Sequence, residues 1–227
     1  MESLINRFLN YLILEKKYSE NTFLSYKTDL YKLNEFLKEQ NITQLSSINK
    51  ENILNYFKSL KNNNYSIRTI SRIYSSISSF FNYCVYNNFK ESSPMEFITY
   101  PKQEKPLPEF LDLEEVEKIL NAIKTDDYLQ LRDRVIYELM YSTGIRVSEL
   151  TNLTTDNLYL DEYFIKVNGK GNKERLIPFG KEAGIWLNIY LKKNRHEINK
   201  KDSEFLFLSR RGDKLNRKTI WKNKRRN

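Results

Sequence analysis

Cysteine and histidine are nearly absent: Cys84 and His196 are the only ones in 227 residues. A single cysteine excludes an internal disulfide and fits a cytoplasmic setting. Cys84 stands in the apolar run from Phe80 to Val85, where a buried, unreactive thiol is expected. His196 lies in a polar stretch, far from Cys84 and from any second histidine. Metal-ligand spacing is therefore lacking, and no catalytic role is expected of it. Long apolar runs are lacking too, which leaves no segment to span a membrane. The opening residues show no basic stretch leading into an apolar one, so no secretory signal is read. The sequons at Asn41 and Asn64 then count as chance matches in an Asn-rich chain. No internal repeat occurs.

What is present fits a soluble globular protein, with 40% hydrophobic and 30% charged residues, enough for one large domain or two small ones. The net charge of +9 suggests a polyanionic partner. Its distribution weakens that argument. Residues 201–227 hold ten Lys/Arg and three Asp/Glu, a net of +7, which leaves +2 for residues 1–200. Bulk charge alone also fits a helical interaction protein with a basic tail, so the local motifs decide.

Residues 1–90 read as four helices forming an all-α bundle. Ile5, Phe8, Leu9, Leu12 and Ile13 recur at helical spacing. Ser19 is placed to cap a second helix through Phe23 to Leu37, and Ser66 a fourth from about Ile67 to Asn87. The fourth carries an apolar stripe of Ile70, Ile73, Ile77, Phe80, Phe81 and Cys84. Its polar face presents Arg68, Thr69, Arg72, Ser75 and Ser76, and that of the second helix presents Thr22, Ser25, Tyr26 and Lys27. Hydroxyls and cations together suit phosphate contacts, but an ordinary solvated face fits the same composition.

Residues 91–108 contain four of the five prolines and read as a linker. From residue 109 a second unit begins, with helices around Leu111–Lys124 and Arg132–Thr143, the latter closed by Gly144. A short helix after Gly144 and a hairpin of two β-prone runs, Tyr163–Val167 and Arg175–Phe179, are expected next, then a helix from Lys181. Glu204–Trp221 reads as a short strand, a basic turn and the start of a helix.

Two segments bear on chemistry. Arg146 follows the Gly-stopped helix, and Glu149 three residues on shares its helix face. A guanidinium held by a carboxylate suits bidentate phosphate binding, while the spacing alone fits a structural ion pair better. Lys170 sits between Gly169 and Gly171 at the hairpin tip, where a lysine reaches a nucleic-acid groove, or where a basic turn is simply solvated.

Taken together and in this order, the segments resemble the Xer-type tyrosine recombinases and phage integrases. Arg132–Leu150 resembles the first arginine box, and Val167–Gly180 the lysine hairpin. Tyr18–Leu30 and Ser66–Val85 are similar to the core-binding bundle, and Phe205–Trp221 to the run before the second box. The resemblance implies a mostly α protein: an N-terminal four-helix core-binding (SAM-like) bundle, plus an α+β tyrosine-recombinase catalytic domain with a β-hairpin, here incomplete. The units are 1–90, a linker at 91–108, and 109–227. It implies a clamp on double-stranded DNA, with an intact recombinase as a further partner, and transesterification with no metal or nucleotide cofactor. In the family a tyrosine attacks the scissile phosphate and two arginines hold the non-bridging oxygens. Arg146 matches the first of these, Glu149 the carboxylate that positions it, and Lys170 the general acid for the 5′-oxygen. Thr22, Ser25, Tyr26, Lys27, Arg68, Thr69, Arg72, Lys173, Arg175, Arg210 and Arg217 are placed at the DNA.

The family's second box, His-x-x-Arg, and the late nucleophilic tyrosine are not found. His196 has Asn199 three residues on, and all sixteen tyrosines lie at or before Tyr190. The expectation is a C-terminally shortened recombinase, or alternatively a catalytically inactive module that occupies recombination sites. Leu139, Met140, Ile185 and Trp186 are then expected to lose cover.

Overall fold

A computed structural model of the chain describes residues 1–99, 110–169 and 173–223. The chain divides into two compact units, Met1–Leu107 and Pro108–Asn227. No helix among the described residues is long and apolar enough to cross a membrane.

The first unit is the expected bundle: α1 (Glu2–Leu14), α2 (Glu20–Glu39), α3 (Lys50–Asn62) and α4 (Ile67–Tyr86). Each of the last three starts on a side-chain cap, because the first N–H groups of a helix have no partner within it. Ser19 accepts from the Thr22 N–H at 3.4 Å and Ser66 from the Thr69 N–H at 3.2 Å. Asn49 and Asn52 cap each other reciprocally at 3.0 and 2.9 Å. The stripe of α4 is buried in full, with Phe80 edge-on to Phe8 at 5.6 Å. Burial of one such ring contributes about 1.5–3 kcal/mol. Cys84 is fully enclosed, and burial pushes its thiol up to about 12, as an unreactive thiol requires. Met95 and Ile98 join this core, and the Tyr74 hydroxyl donates to the Ile98 carbonyl at 2.7 Å. Ser76 departs from the reading of α4: it is buried, with its hydroxyl on the Ile73 carbonyl and on Asp29.

The second unit opens with α5 (Leu113–Ala122) and α6 (Tyr128–Thr143), capped by Asp112 and Asp127. Gly144 ends α6 at φ +60. A Cβ there would meet nothing, so the left-handed backbone alone calls for glycine. The short α7 (Val147–Leu150) follows, then β1 (Leu158–Tyr159), β2 (Phe164–Asn168) and β3 (Glu174–Pro178) in one antiparallel sheet of order β1-β2-β3. The hairpin is β2–β3; the two-residue β1 is too short to give a sequence signal. Ile165 and Val167 face the core with Leu139 and Leu187.

The sheet leads into α8 (Lys181–Ile189), which continues through a π-helical turn, Tyr190–Arg195, into α9 (His196–Ile198); α10 (Arg217–Asn223) comes last. Two expectations are corrected here. Leu139 keeps full cover, because it lies on the inward face of α6, whereas Ile185 is exposed. Residues 205–208 form no strand; they make only the isolated bridges Thr154↔Phe205 and Leu208↔Lys214. The Leu206 N–H donates to Leu153 O at 2.8 Å and the Phe207 carbonyl accepts the Leu215 N–H at 3.2 Å, while side chains take the other three carbonyls. Tyr190 donates to Leu206 O at 3.1 Å, Arg195 to Phe205 O at 2.8 Å and Arg132 to Leu208 O at 2.7 Å.

Candidate functional site

The site is assembled around Glu149. Arg146 is the residue before α7, and α7 begins there because Gly144 has turned the chain out of α6. Glu149, one turn on, accepts the Arg146 backbone N–H on Oε2 at 3.1 Å and the Arg146 Nη1 on Oε1 at 3.1 Å. The third member comes from the hairpin. Arg175 pairs across the sheet with Val167, and cross-strand partners share a face, so Arg175 projects toward the core side. Its Nη1 reaches Glu149 Oε1 at 3.0 Å and its Nη2 reaches Oε2 at 2.9 Å. The carboxylate thus accepts four hydrogen bonds, two on each oxygen, which is about its full capacity.

These bonds explain its titration. Arg175, and then Arg146, hold the Glu149 carboxyl at about 2, well below its ordinary 4.5. A lowered carboxyl stabilises the fold above its unfolded pKa, and that contribution disappears as pH falls through the folded value. The urea midpoint of the protein relative to Glu149→Gln is expected to be level above pH about 4.5 and to fall between there and about 2. A difference that stays level through that window contradicts the pairing.

The exposure of the two arginines differs. The Arg146 side chain is 72% exposed and the Glu149 side chain 7%. An exposed guanidinium on a saturated carboxylate keeps most of its N–H donors for a ligand. Lys170, the general acid that the resemblance implies, lies outside the described residues. Beside it, Gly169 donates to the Lys173 carbonyl at 2.8 Å, which closes the hairpin, and Lys173 is exposed. Arg210 lies on an exposed turn that Gly212 allows with φ +79, and Arg217 starts α10. Tyr190, the last tyrosine in the sequence, is fully buried, and burial pushes its phenol up to about 12.

In the first unit, Lys27 and Arg68 are exposed and make no ion pair among the described residues. The hydroxyls are partly occupied. Thr22 and Thr69 meet Ser19 and Ser66 at 2.9 Å each, and Ser25 donates to Asn21 O at 2.8 Å. Tyr26 stands edge-on to Tyr18 at 6.1 Å. Arg72 is bound to the buried Asp29, a partner that the sequence reading did not identify. Burial raises the Asp29 carboxyl, and the Arg72 contact opposes that shift. Arg72→Ala removes the cation beside a buried carboxylate and is expected to destabilise the bundle by about 1–3 kcal/mol. Chemical denaturation followed by circular dichroism checks this; an unchanged midpoint contradicts it.

Comparison with known proteins bears on this site. Residues 109–227 match the phage integrase family, and residues 5–88 match the N-terminal SAM-like domain of phage integrases. The chain is 36% identical to tyrosine recombinase XerD of Listeria innocua, over 98% of this chain and 76% of that protein. It is 38% identical to tyrosine recombinase XerD of Pseudomonas aeruginosa, over 96% and 73%. Among solved structures it is similar to a lambda integrase dimer bound to a COC′ core site, with a TM-score of 0.71 at 18% identity, over 100% of this chain and 76% of that one. It is also similar to the Tn1549 transposon integrase in complex with circular intermediate DNA, with a TM-score of 0.68 at 19% identity, over 98% and 78%. At these identities the structural likeness establishes the fold.

Proposed function

From the premise that the chain belongs to the phage integrase family of tyrosine recombinases, we propose that it binds duplex DNA at a recombination site and supplies part of the centre for strand cleavage and rejoining. The observation that carries this is the exposed Arg146 guanidinium on a saturated, buried carboxylate. In strand cleavage a tyrosine oxygen attacks the scissile phosphorus and the bond to the 5′-oxygen breaks. Charge grows on the non-bridging oxygens, and donors fixed in advance stabilise it. Arg146 is suited to hold one such oxygen. Glu149 sets its position and takes no proton, because a carboxyl near 2 is a poor base at neutral pH. Lys170 is assigned as the acid that protonates the departing 5′-oxygen.

A second reading is favoured by one observation. Within the 227 residues no His-x-x-Arg occurs, and the last tyrosine, Tyr190, has its hydroxyl buried against the Leu206 carbonyl. Without a nucleophile among them, these residues offer no covalent route. These residues taken alone are therefore proposed to occupy DNA without cutting it. Both readings rest on duplex binding, which titration of a fluorescent duplex with the chain tests. Saturable binding that weakens with salt is expected. Absence of binding at low salt overturns both.

A further inference from the structure

Glu149 lies between two cations, and it is shared unequally. Arg175 grips both carboxylate oxygens with both Nη groups, whereas the Arg146 guanidinium touches one oxygen through one Nη. The Arg175 side chain is 40% exposed and that of Arg146 72%. The triad carries one negative and two positive charges, so one positive charge remains. The contacts place the neutralised pair at Arg175–Glu149 and the remaining charge at Arg146.

We infer that Arg175 is a positioning residue of this centre: it takes up the charge of Glu149, so that Arg146 faces the DNA phosphate as a net cation. The inference deepens the proposed function and rests on duplex binding. It also reassigns Arg175 from a contact with the DNA backbone to an internal partner.

The physical reason is geometric. A planar guanidinium and a carboxylate prefer a two-bond fork. Without Arg175, the free side of Glu149 is open to Arg146, and a forked Arg146–Glu149 pair has no net charge. A phosphate approaching it then meets a carboxylate with no second cation. The local packing fits this role. A Cβ on Gly169 would stand 2.9 Å from Arg175 Nη1 and 4.0 Å from Glu149 Oε1, so the guanidinium occupies space that glycine leaves open. Arg175 also fastens β3, and with it the hairpin, to α7.

The test uses the whole chain and a fluorescent duplex, with affinity measured across a salt series. Arg175→Gln is expected to bind about tenfold or more weakly, the effect of losing one charged hydrogen-bonding contact. Its log–log salt slope should be shallower by about 0.9, since one phosphate is no longer neutralised. Adding Glu149→Gln should restore both quantities, because Arg146 is then uncompensated again. A control, Arg175→Gln with Glu162→Gln, restores the net charge at an exposed site before β2, at the end away from the hairpin tip, and should stay weak.

Recovery in the Glu149 double variant alone supports the inference. A double variant no tighter than Arg175→Gln overturns it, and indicates that Arg175 touches DNA or only braces the hairpin. Equal recovery in both double variants also overturns it, in favour of bulk charge. Arg175→Gln binding as tightly as the parent leaves no role for Arg175. If Arg175→Gln does not fold, Arg175→Lys is read instead: a parental slope supports the inference and a slope shallower by about 0.9 overturns it. Failure of the unmodified chain to bind duplex is a different result, and overturns the proposed function itself.

Discussion

Raising the salt from about 50 to 200 mM is expected to weaken binding of this chain to duplex DNA by about a thousandfold. The figure follows from which of the candidate DNA-facing cations are exposed. Lys27, Arg68, Arg146, Lys173, Arg210 and Arg217 are exposed. Arg72 and Arg175 are occupied by Asp29 and Glu149. Each phosphate neutralised releases condensed counterions and steepens the log–log slope by about 0.9, so these six predict a slope of about −5. If Arg72 and Arg175 also touched phosphates, the slope would approach about −7. Fluorescence anisotropy at several salt concentrations separates the two values. An affinity that does not change with salt contradicts the DNA-binding account altogether.

Arg132→Ala is expected to destabilise the second unit by about 3 kcal/mol, the effect of removing a buried guanidinium that holds a half-buried carboxylate and a backbone carbonyl. Arg132 is 3% exposed. Its Nε and Nη2 hold Asp133 at 2.9 and 2.6 Å, and its Nη1 holds the Leu208 carbonyl at 2.7 Å. That last bond matters because residues 205–208 have no strand ladder. Their attachment to α6 and to the helical segment after α8 depends on side-chain donors. The two tryptophans, Trp186 and Trp221, both lie in the second unit, so tryptophan emission reads that unit selectively. Its urea midpoint should fall by about 2 M at a slope typical of a small domain. Helical circular dichroism from α1–α4 should persist beyond that transition. A midpoint shifted by only a few tenths of a molar contradicts the role given to Arg132.

The limits of sequence reading show in the same residues. The helices of the bundle were legible because period and caps coincide: Ser19 and Ser66 stand just ahead of apolar stripes that the structure buries. The Arg146–Glu149 pair was legible because a glycine stop precedes Arg146 and a glutamate follows within one turn, whereas its part in phosphate binding came from the family resemblance and not from the spacing. The contacts that complete the site were not legible. Arg175 meets Glu149 across 26 residues, and Arg72 meets Asp29 across 43. No local period encodes such pairs, and an exposed basic residue reads the same whether or not an acid waits for it. Residues 205–208 misled for a related reason. Phe205–Leu208 is β-prone, but its backbone pairing stops at single contacts, Leu206 N–H on Leu153 O and Leu215 N–H on Phe207 O, and Arg132, Tyr190 and Arg195 take the other carbonyls.

The most direct test of the account is a covalent-trapping experiment. Duplexes selected by the chain from a random pool are nicked near the centre and incubated with the 227-residue protein, then analysed on native and on SDS gels. The account predicts a shifted complex on the native gel that SDS dissolves, because on the proposed reading Arg146 holds a phosphate while Tyr190, the last tyrosine of these 227 residues, is buried. An SDS-resistant protein–DNA adduct contradicts it.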